Sequence, residues 1–426
     1  MRQEAYFCTI EELNSLGKEN IPQQLISHTH LIYSSPATLA FNSPGAEGFG
    51  VKRAGLAVPG SIMLIVAPGC CGRNTSVLSS MRAYHDRFYY LLMDETDIVT
   101  GRHLKKIPKA VAEICEGLEK KPSVVMICIT CVDALLGTDM ERVCRKAEEV
   151  VGLPVKPCYM YALTREGRKP PMVHVRQSIY SLLEPKKKKG NVVNLLGYFS
   201  PLVDDCELYD LLHGAGVKTI HEISRCKDYA EYQTMSEANF NLVLHPEARF
   251  AAEDFHDRLK IPYIELRRLY QIDKIASQYR AFGAALGVTF DDEKPRKAAE
   301  DAVAKFKEKY PDASFAVGEW MSGDPFELAL ALVRYGFCVP EIYGTLSGEN
   351  FIYVKQLAAL SPETKVFSNL EPTMLYYDRT DSGVNFTIGK DAGYYHKNCP
   401  NVLWNGEQQP FGYAGVRRLF EALAEV

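Results

Sequence analysis

Short apolar runs of strand length recur along this chain, separated by amphipathic stretches of helical period, and that alternation constrains the fold more than any other feature. SIMLIVA (61–67), VVMICIT (124–130), NVVNLLG (191–197), FNLVLHP (240–246), ASFAVGE (313–319) and TKVFSN (364–369) are such runs. Helical text of roughly 10 to 15 residues lies between them, as parallel βαβ units and doubly wound sheets require. The expected fold is therefore α/β: three doubly wound, parallel-sheet (Rossmann-like) domains around a central cleft. The divisions fall at 1–32, a leader packed on the outside; 33–188, a first domain; 189–310, a second; and 311–426, a third with a C-terminal helix. The lysine run in EPKKKKGN (184–191) reads as an exposed hinge between the first two domains. TSVLSSMRAYHD (75–86) is expected as a helix, and 96–102, with Gly101, as a loop.

A chain of 426 residues is too long for one ordinary core, which agrees with several domains. A net charge of -4 supplies no general attraction to nucleic acid or to a membrane surface. No uninterrupted apolar run of about 18 residues and no signal-peptide core occurs, so a cytoplasmic location is expected.

Ligands bind such sheets outside the carboxyl ends of the strands, which predicts a site in a cleft between domains. Two strand-length runs end in cysteine: SIMLIVAPGCCGRN (61–74) and PSVVMICITCVDALLGTD (122–139). The chain has 12 cysteines, too many to ignore and not spaced as a secreted disulfide framework. Most stand alone in apolar or helical text and read as small core residues. Cys70 and Cys71 differ, because Gly69 and Gly72 let the backbone approach a cluster closely and soft thiolates are the ligands that iron-sulfur clusters take.

Cys128-Ile-Thr-Cys131 has the spacing of a thioredoxin-type redox pair, but Cys128 lies inside an apolar strand and faces away from Cys131. Cys128 is read as core and Cys131 as the functional thiol. Cys70, Cys71 and Cys131 are one ligand short of a closed four-cysteine site, so an interface cluster shared by two chains is expected. Zinc also accepts four thiolates, but paired C-x2-4-C knuckles are absent. His245 at a strand end, and His396 in GYYHKNC, are candidate ligands or proton donors as well as ordinary polar residues. Gly323 and Asp324, in a loop before a helix, are candidates for holding an anion. No G-x-x-x-x-G-K-[ST] loop occurs, so ATP hydrolysis by this chain is not expected.

Residues 33–422 resemble component 1 of nitrogenase and its relatives, the molybdenum-iron protein-like group. APGCCG (67–72) resembles the family's GP-x-GC cysteine loop, and ETDIVTG (95–101) with KKIPKAV (105–111) its E-x-D-x-x-x-G segment and lysine-rich helix start. ITCVDALLGTD (129–139) resembles STC-x-x-x-x-IGDD, with Cys131 at the cysteine and Asp139 retained. NLVLHP, GDPFELALALVRYG, VNFTIGKDAGY and PFGYAGVRRLFEAL follow in the family's order.

The resemblance implies a homodimer or a heterodimer with a second component-1-like chain. It implies an interface iron-sulfur cluster of 4Fe-4S or 8Fe double-cubane type, and electrons from an ATP-hydrolysing iron protein with its own 4Fe-4S cluster. Reduction would then occur at a second metallocofactor or a bound tetrapyrrole-like substrate. The same cysteines would serve a non-catalytic scaffold for assembling a cluster or metallocofactor. Three departures matter. The family's early cysteine is missing from NSPGAEG (42–48), with Cys71 the candidate to replace it. His245 stands where an α-type chain offers its cofactor cysteine. The second cofactor ligand, a histidine before the last helix, has no counterpart in VLWNGEQQPFGY (402–413). The implied activity is a nitrogenase-like reduction other than that of dinitrogen.

Overall fold

The computed structural model describes residues 4–26, 35–41, 50–69, 79, 84–160, 169–380 and 382–426. The apolar runs become strands of three sheets, and the protein has the Rossmann-like α/β fold. The first strand, β1 (Phe7–Thr9), belongs to the last sheet. β2 (Ile62–Ala67), β3 (Phe88–Leu92), β4 (Val125–Ile129) and β5 (Val155–Tyr159) form a parallel sheet in the order β3-β2-β4-β5. Every residue of β2 and β4 is buried, because a continuous apolar run has two faces to cover. Ile62, Leu64 and Val66 pack with Ile107 and Val111 of the helix His103–Gly117 and with Val143 and Ala147 of the helix Met140–Val151. The alternate residues Met63, Ile65, Met126 and Cys128 pack in the opposite layer with Val175 and Ile179 of the helix Pro171–Tyr180.

β6 (Val192–Leu196), β7 (Thr219–His221), β8 (Phe240–Val243) and β9 (Tyr263–Glu265) form a second parallel sheet, β7-β6-β8-β9. β10 (Ser314–Val317), β11 (Cys338–Tyr343), β12 (Lys365–Phe367), β13 (Phe386–Ile388) and β14 (Asn401–Val402) form the third. Its order is β1-β12-β11-β10-β13-β14, parallel except for β1, which runs antiparallel to β12.

The chain divides into two compact units. One comprises 44–199 and 218–266 and carries the first two sheets; the other comprises 1–43, 200–217 and 267–426 and carries the third. Segment 200–217 joins the third sheet's unit through Glu207, whose buried carboxylate accepts from the Tyr279 hydroxyl (2.7 Å) and the amides of Tyr413 (2.6 Å) and Ala414 (3.0 Å).

The leader region supplies the edge strand β1 and, behind it, the helix Ile10–Leu16, started by a Thr9–Glu12 capping box. The expected loop at 96–102 contains the helix Glu95–Thr100. Its β-branched residues disguise it, but Asp94 and Asp97 form a capping box and Gly101, at φ 63°, ends it in the left-handed conformation. The helix expected at 75–86 falls mostly outside the described residues. Among the described residues, no helix is long and apolar enough to cross a membrane.

Candidate functional site

A doubly wound sheet opens a crevice where its strand order reverses, outside the carboxyl ends of the two strands concerned. The three orders put these points between β2 and β4, between β6 and β8, and between β10 and β13.

At the first crevice, Val66 pairs with Ile129, so β2 and β4 leave the sheet side by side toward Gly69 and Cys131. Among the described residues, a Cβ on Gly69 would meet nothing within 4 Å, so none of them blocks a close approach here. Cys70, Cys71 and Gly72 lie outside the described residues. Cys131 is partly buried at the start of the helix Cys131–Leu136, whereas Cys128 is fully buried inside β4. Cys128 is in register with Cys158, whose thiol donates to the Val51 carbonyl (3.3 Å) and is pushed up by burial.

Two residues missed by sequence reasoning, His103 and Asp133, fix the helix that Cys131 begins. His103 Nε2 lies 2.9 Å from Asp133 Oδ1 and its Nδ1 lies 3.0 Å from the Asp97 carbonyl, all buried. The Thr138 hydroxyl also donates to Asp133 Oδ1 (2.9 Å). Asp97 receives Lys106 Nζ (2.7 Å) and Arg102 Nε (2.8 Å), and these hydrogen bonds hold its carboxyl well below the usual carboxylate range. The elements leaving β3 and β4 are thereby tied together. Asp133 Oδ2 and Thr130 Oγ1 are buried with no hydrogen-bond partner among the described residues, an arrangement that native interiors rarely tolerate. A lone histidine among lysines and an aspartate two positions after a cysteine gave no periodic signal to find.

At the second crevice, His245 follows β8 beside Gly197, which follows β6. A Cβ on Gly197 would strike the His245 amide nitrogen at 2.7 Å, and Gly197 also sits at φ 135°. His245 Nδ1 accepts from the Glu247 amide (3.3 Å), and its ring meets Tyr198 edge-on at 5.7 Å. Its side chain is 38% exposed. Arg176, buried, donates to Glu247 Oε2 (2.7 Å) and to the Gly197 carbonyl (2.7 Å), so it braces both strand ends.

The third crevice is filled by its own chain. Asp391 Oδ2 accepts from the Glu319 amide (2.8 Å) and Asn369 Nδ2 (2.6 Å), while Oδ1 accepts from the Trp320 amide (3.3 Å). Burial pushes the carboxyls of Asp391 and Glu319 up.

The remaining candidates sit in the third sheet's unit. Asp324 caps the helix Pro325–Arg334, its Oδ1 accepting from the amides of Phe326 (2.9 Å) and Glu327 (3.1 Å). Those are the amides an external anion would need, so the expected anion site is closed by Asp324 itself. Gly323 is explained by packing, since a Cβ there would meet Tyr270 Cε2 at 2.7 Å. His396 is buried, with Nε2 2.9 Å from Glu341 Oε2 and 2.9 Å from the Tyr377 hydroxyl.

Residues 47–426 match the model of the nitrogenase component 1 type oxidoreductases. Among curated proteins, the nitrogenase iron-molybdenum cofactor biosynthesis protein NifE of Nostoc sp. is 27% identical over 53% of this chain and 48% of its own length. NifE of Klebsiella pneumoniae is 25% identical over 54% of this chain and 50% of its own. The nitrogenase molybdenum-iron protein alpha chain of Methanosarcina barkeri is 23% identical over 52% and 41% respectively. The match thus spans about half the length of these relatives or less. The structure of nitrogenase Cp1 at pH 6.5 superposes with a TM-score of 0.71, covering 97% of this chain and 95% of that one at 17% identity, which is a likeness of fold.

Proposed function

This chain belongs to the nitrogenase component 1 type oxidoreductase family, and we propose that it is a subunit in which Cys131, with Cys70 and Cys71, holds an iron-sulfur cluster at the contact with a second component-1-like chain. The observation that carries this reading is the first crevice: Gly69 and the half-buried Cys131 leave adjacent strand ends, beside two buried polar atoms with no hydrogen-bond partner among the described residues. Soft thiolates from strand-end loops suit a 4Fe-4S or 8Fe cluster, which supplies uptake and release of single electrons.

The chain's own residues supply position and cover. The His103–Asp133 pair locks the helix that Cys131 begins against the one that follows β3. Leu92, Val99, Leu135 and Leu136, on the elements leaving this sheet end, are 61%, 85%, 64% and 50% exposed, which suits burial by a partner chain. Electrons come from a separate ATP-hydrolysing iron protein. The substrate or metallocofactor is bound at the second crevice, where His245 is accessible and Arg176 and Glu247 orient the loop. His396, buried among its own partners, has a structural role.

A second reading, a scaffold on which a cofactor is assembled, is favoured by the NifE relatives, which are iron-molybdenum cofactor biosynthesis proteins. Anaerobic purification with iron and labile-sulfide analysis tests the shared part. Cys131→Ala is expected to lose the cluster and Cys128→Ala to retain it; an iron-free wild-type protein, or equal losses in both variants, would overturn it. Catalytic turnover with the iron protein and ATP then supports the reductase, and release of a cluster to an apo-acceptor without turnover supports the scaffold.

A further inference from the structure

Outside the strand-end crevices, the third sheet's unit carries a cavity of 480 Å³ whose lining includes Tyr377, Asp378, Arg379, Tyr394, Tyr395 and Lys397. Its volume is that of a small-molecule site, for which roughly 300 to 1,000 Å³ is usual.

The wall is aromatic and braced from behind. The Tyr377 ring lies 5.0 Å from Tyr395, which meets Tyr394 edge-on at 5.3 Å and stacks on Tyr343 at 5.1 Å with an interplanar angle of 11°. The hydroxyls of Tyr377 and Tyr343 both donate to Glu341 Oε2 (2.8 Å each), and His396 Nε2 approaches the same oxygen at 2.9 Å. Three groups converging on one buried oxygen hold the tyrosine face in place before any ligand arrives, which lowers the entropy lost on binding.

The rim carries two cations, Arg379 and Lys397, and one carboxylate, Asp378. Arg379 and Lys397 are exposed, and among the described residues neither is paired with a carboxylate. The neighbouring Asp378 is committed to its own turn, its Oδ1 accepting from the Thr380 amide (2.9 Å) and hydroxyl (2.6 Å). Lys397 Nζ stands 4.9 Å over the Tyr394 ring, so one cation is already held against the aromatic face. A cavity whose aromatic wall offers both ring faces and ring edges, with two cations and one carboxylate at its rim, is complementary to an aromatic molecule with one anionic end.

We propose that this cavity binds a planar, carboxylate-bearing small molecule, with Arg379 and Lys397 meeting the carboxylate and the rings of Tyr377 and Tyr394 meeting the planar body. All the residues involved lie in the unit that lacks the cysteine crevice, so the site stands or falls independently of the cluster.

The test uses 2-naphthoate as probe, titrated into the full chain by calorimetry, with 2-naphthalenemethanol as its neutral counterpart and inorganic phosphate as an anion without a ring. Saturable 1:1 binding of 2-naphthoate is expected, at least tenfold tighter than either control. Arg379→Gln and Lys397→Gln each weaken it by about tenfold, the size of one lost charge-assisted contact. Both residues are on the surface, so melting temperatures should not change. Tyr394→Ala should weaken 2-naphthoate while leaving any phosphate binding as it was. Absence of 2-naphthoate binding, binding unchanged by the two charge substitutions, or equal competition by phosphate would each overturn the proposal.

Discussion

The crevices of the first and third sheets occupy equivalent places in equivalent topologies, yet one is open and the other closed by its own chain. Between β10 and β13, Asp391 takes up the amides of Glu319 and Trp320, and a Cβ on Gly318 would meet Asp391 Oδ1 at 2.1 Å. Between β2 and β4, among the described residues, a Cβ on Gly69 meets nothing within 4 Å and Thr130 Oγ1 and Asp133 Oδ2 are buried without hydrogen-bond partners; the filled crevice has one such atom, Asn369 Oδ1. Buried polar groups are normally satisfied, so these two atoms call for partners outside the described residues. Topology says where a site can be, and the side chains at each strand end decide which of the equivalent places the chain fills itself.

The largest expected effect comes from Asp133→Ala, which strands His103 in a buried position. A loss of about 4 kcal/mol in unfolding free energy is expected from denaturant titration. A loss below about 1 kcal/mol would mean that the pair does not fix the open crevice.

A pH test addresses the core of the third sheet's unit, where the Glu327 carboxylate accepts from the Tyr270 amide (2.9 Å). Burial raises the Glu327 carboxyl from its ordinary 4.5 to about 7. The folded protein therefore holds this proton through a window where the unfolded chain has lost it. Stability from this group is fully present at low pH and is lost as pH rises through that window, by about 3 kcal/mol in total. Glu327→Gln should flatten the decline in melting temperature between pH 5 and pH 8; an unaltered profile would refute the assignment.

The two glycines offer a direct contrast. Gly318→Ala should cost about 2 to 3 kcal/mol, because Asp391 must move off two amides, whereas Gly69→Ala should stay within about 0.5 kcal/mol. Similar losses at both sites would erase the distinction between filled and open crevices. Smallest of all, Thr130→Val should leave the stability of the cluster-free chain within about 0.5 kcal/mol or raise it, since the hydroxyl it removes makes no hydrogen bond among the described residues. A clear loss in chemical denaturation would show that the hydroxyl is satisfied after all.

Much of this was legible in the residues. The continuous apolar runs of β2 and β4 could be read as buried parallel strands, and their alternation with helices as the α/β class. The placement of Cys128 in the core followed from strand alternation, since Met126 and Cys128 face one layer and Ile127 the other. The helix Glu95–Thr100 was hidden because a capping box supplies what its β-branched residues do not. Asp324 misled because a side chain that occupies a helix N-terminus has the same sequence signature as a loop that leaves it free for an anion. His103 and Asp133 are 30 positions apart and become partners only when the chain segments following β3 and β4 come together.

By itself, then, the sequence determined the local periods, and with them the strands, the helices, the parallel sheets and the strand ends at which cysteine and histidine would emerge. Periodicity is a short-range property, set by how a few neighbouring side chains face water or core. Only the tertiary structure decided which strand end is closed by a carboxylate from its own chain. Satisfaction of a buried group depends on partners tens of residues away, and no local pattern records them.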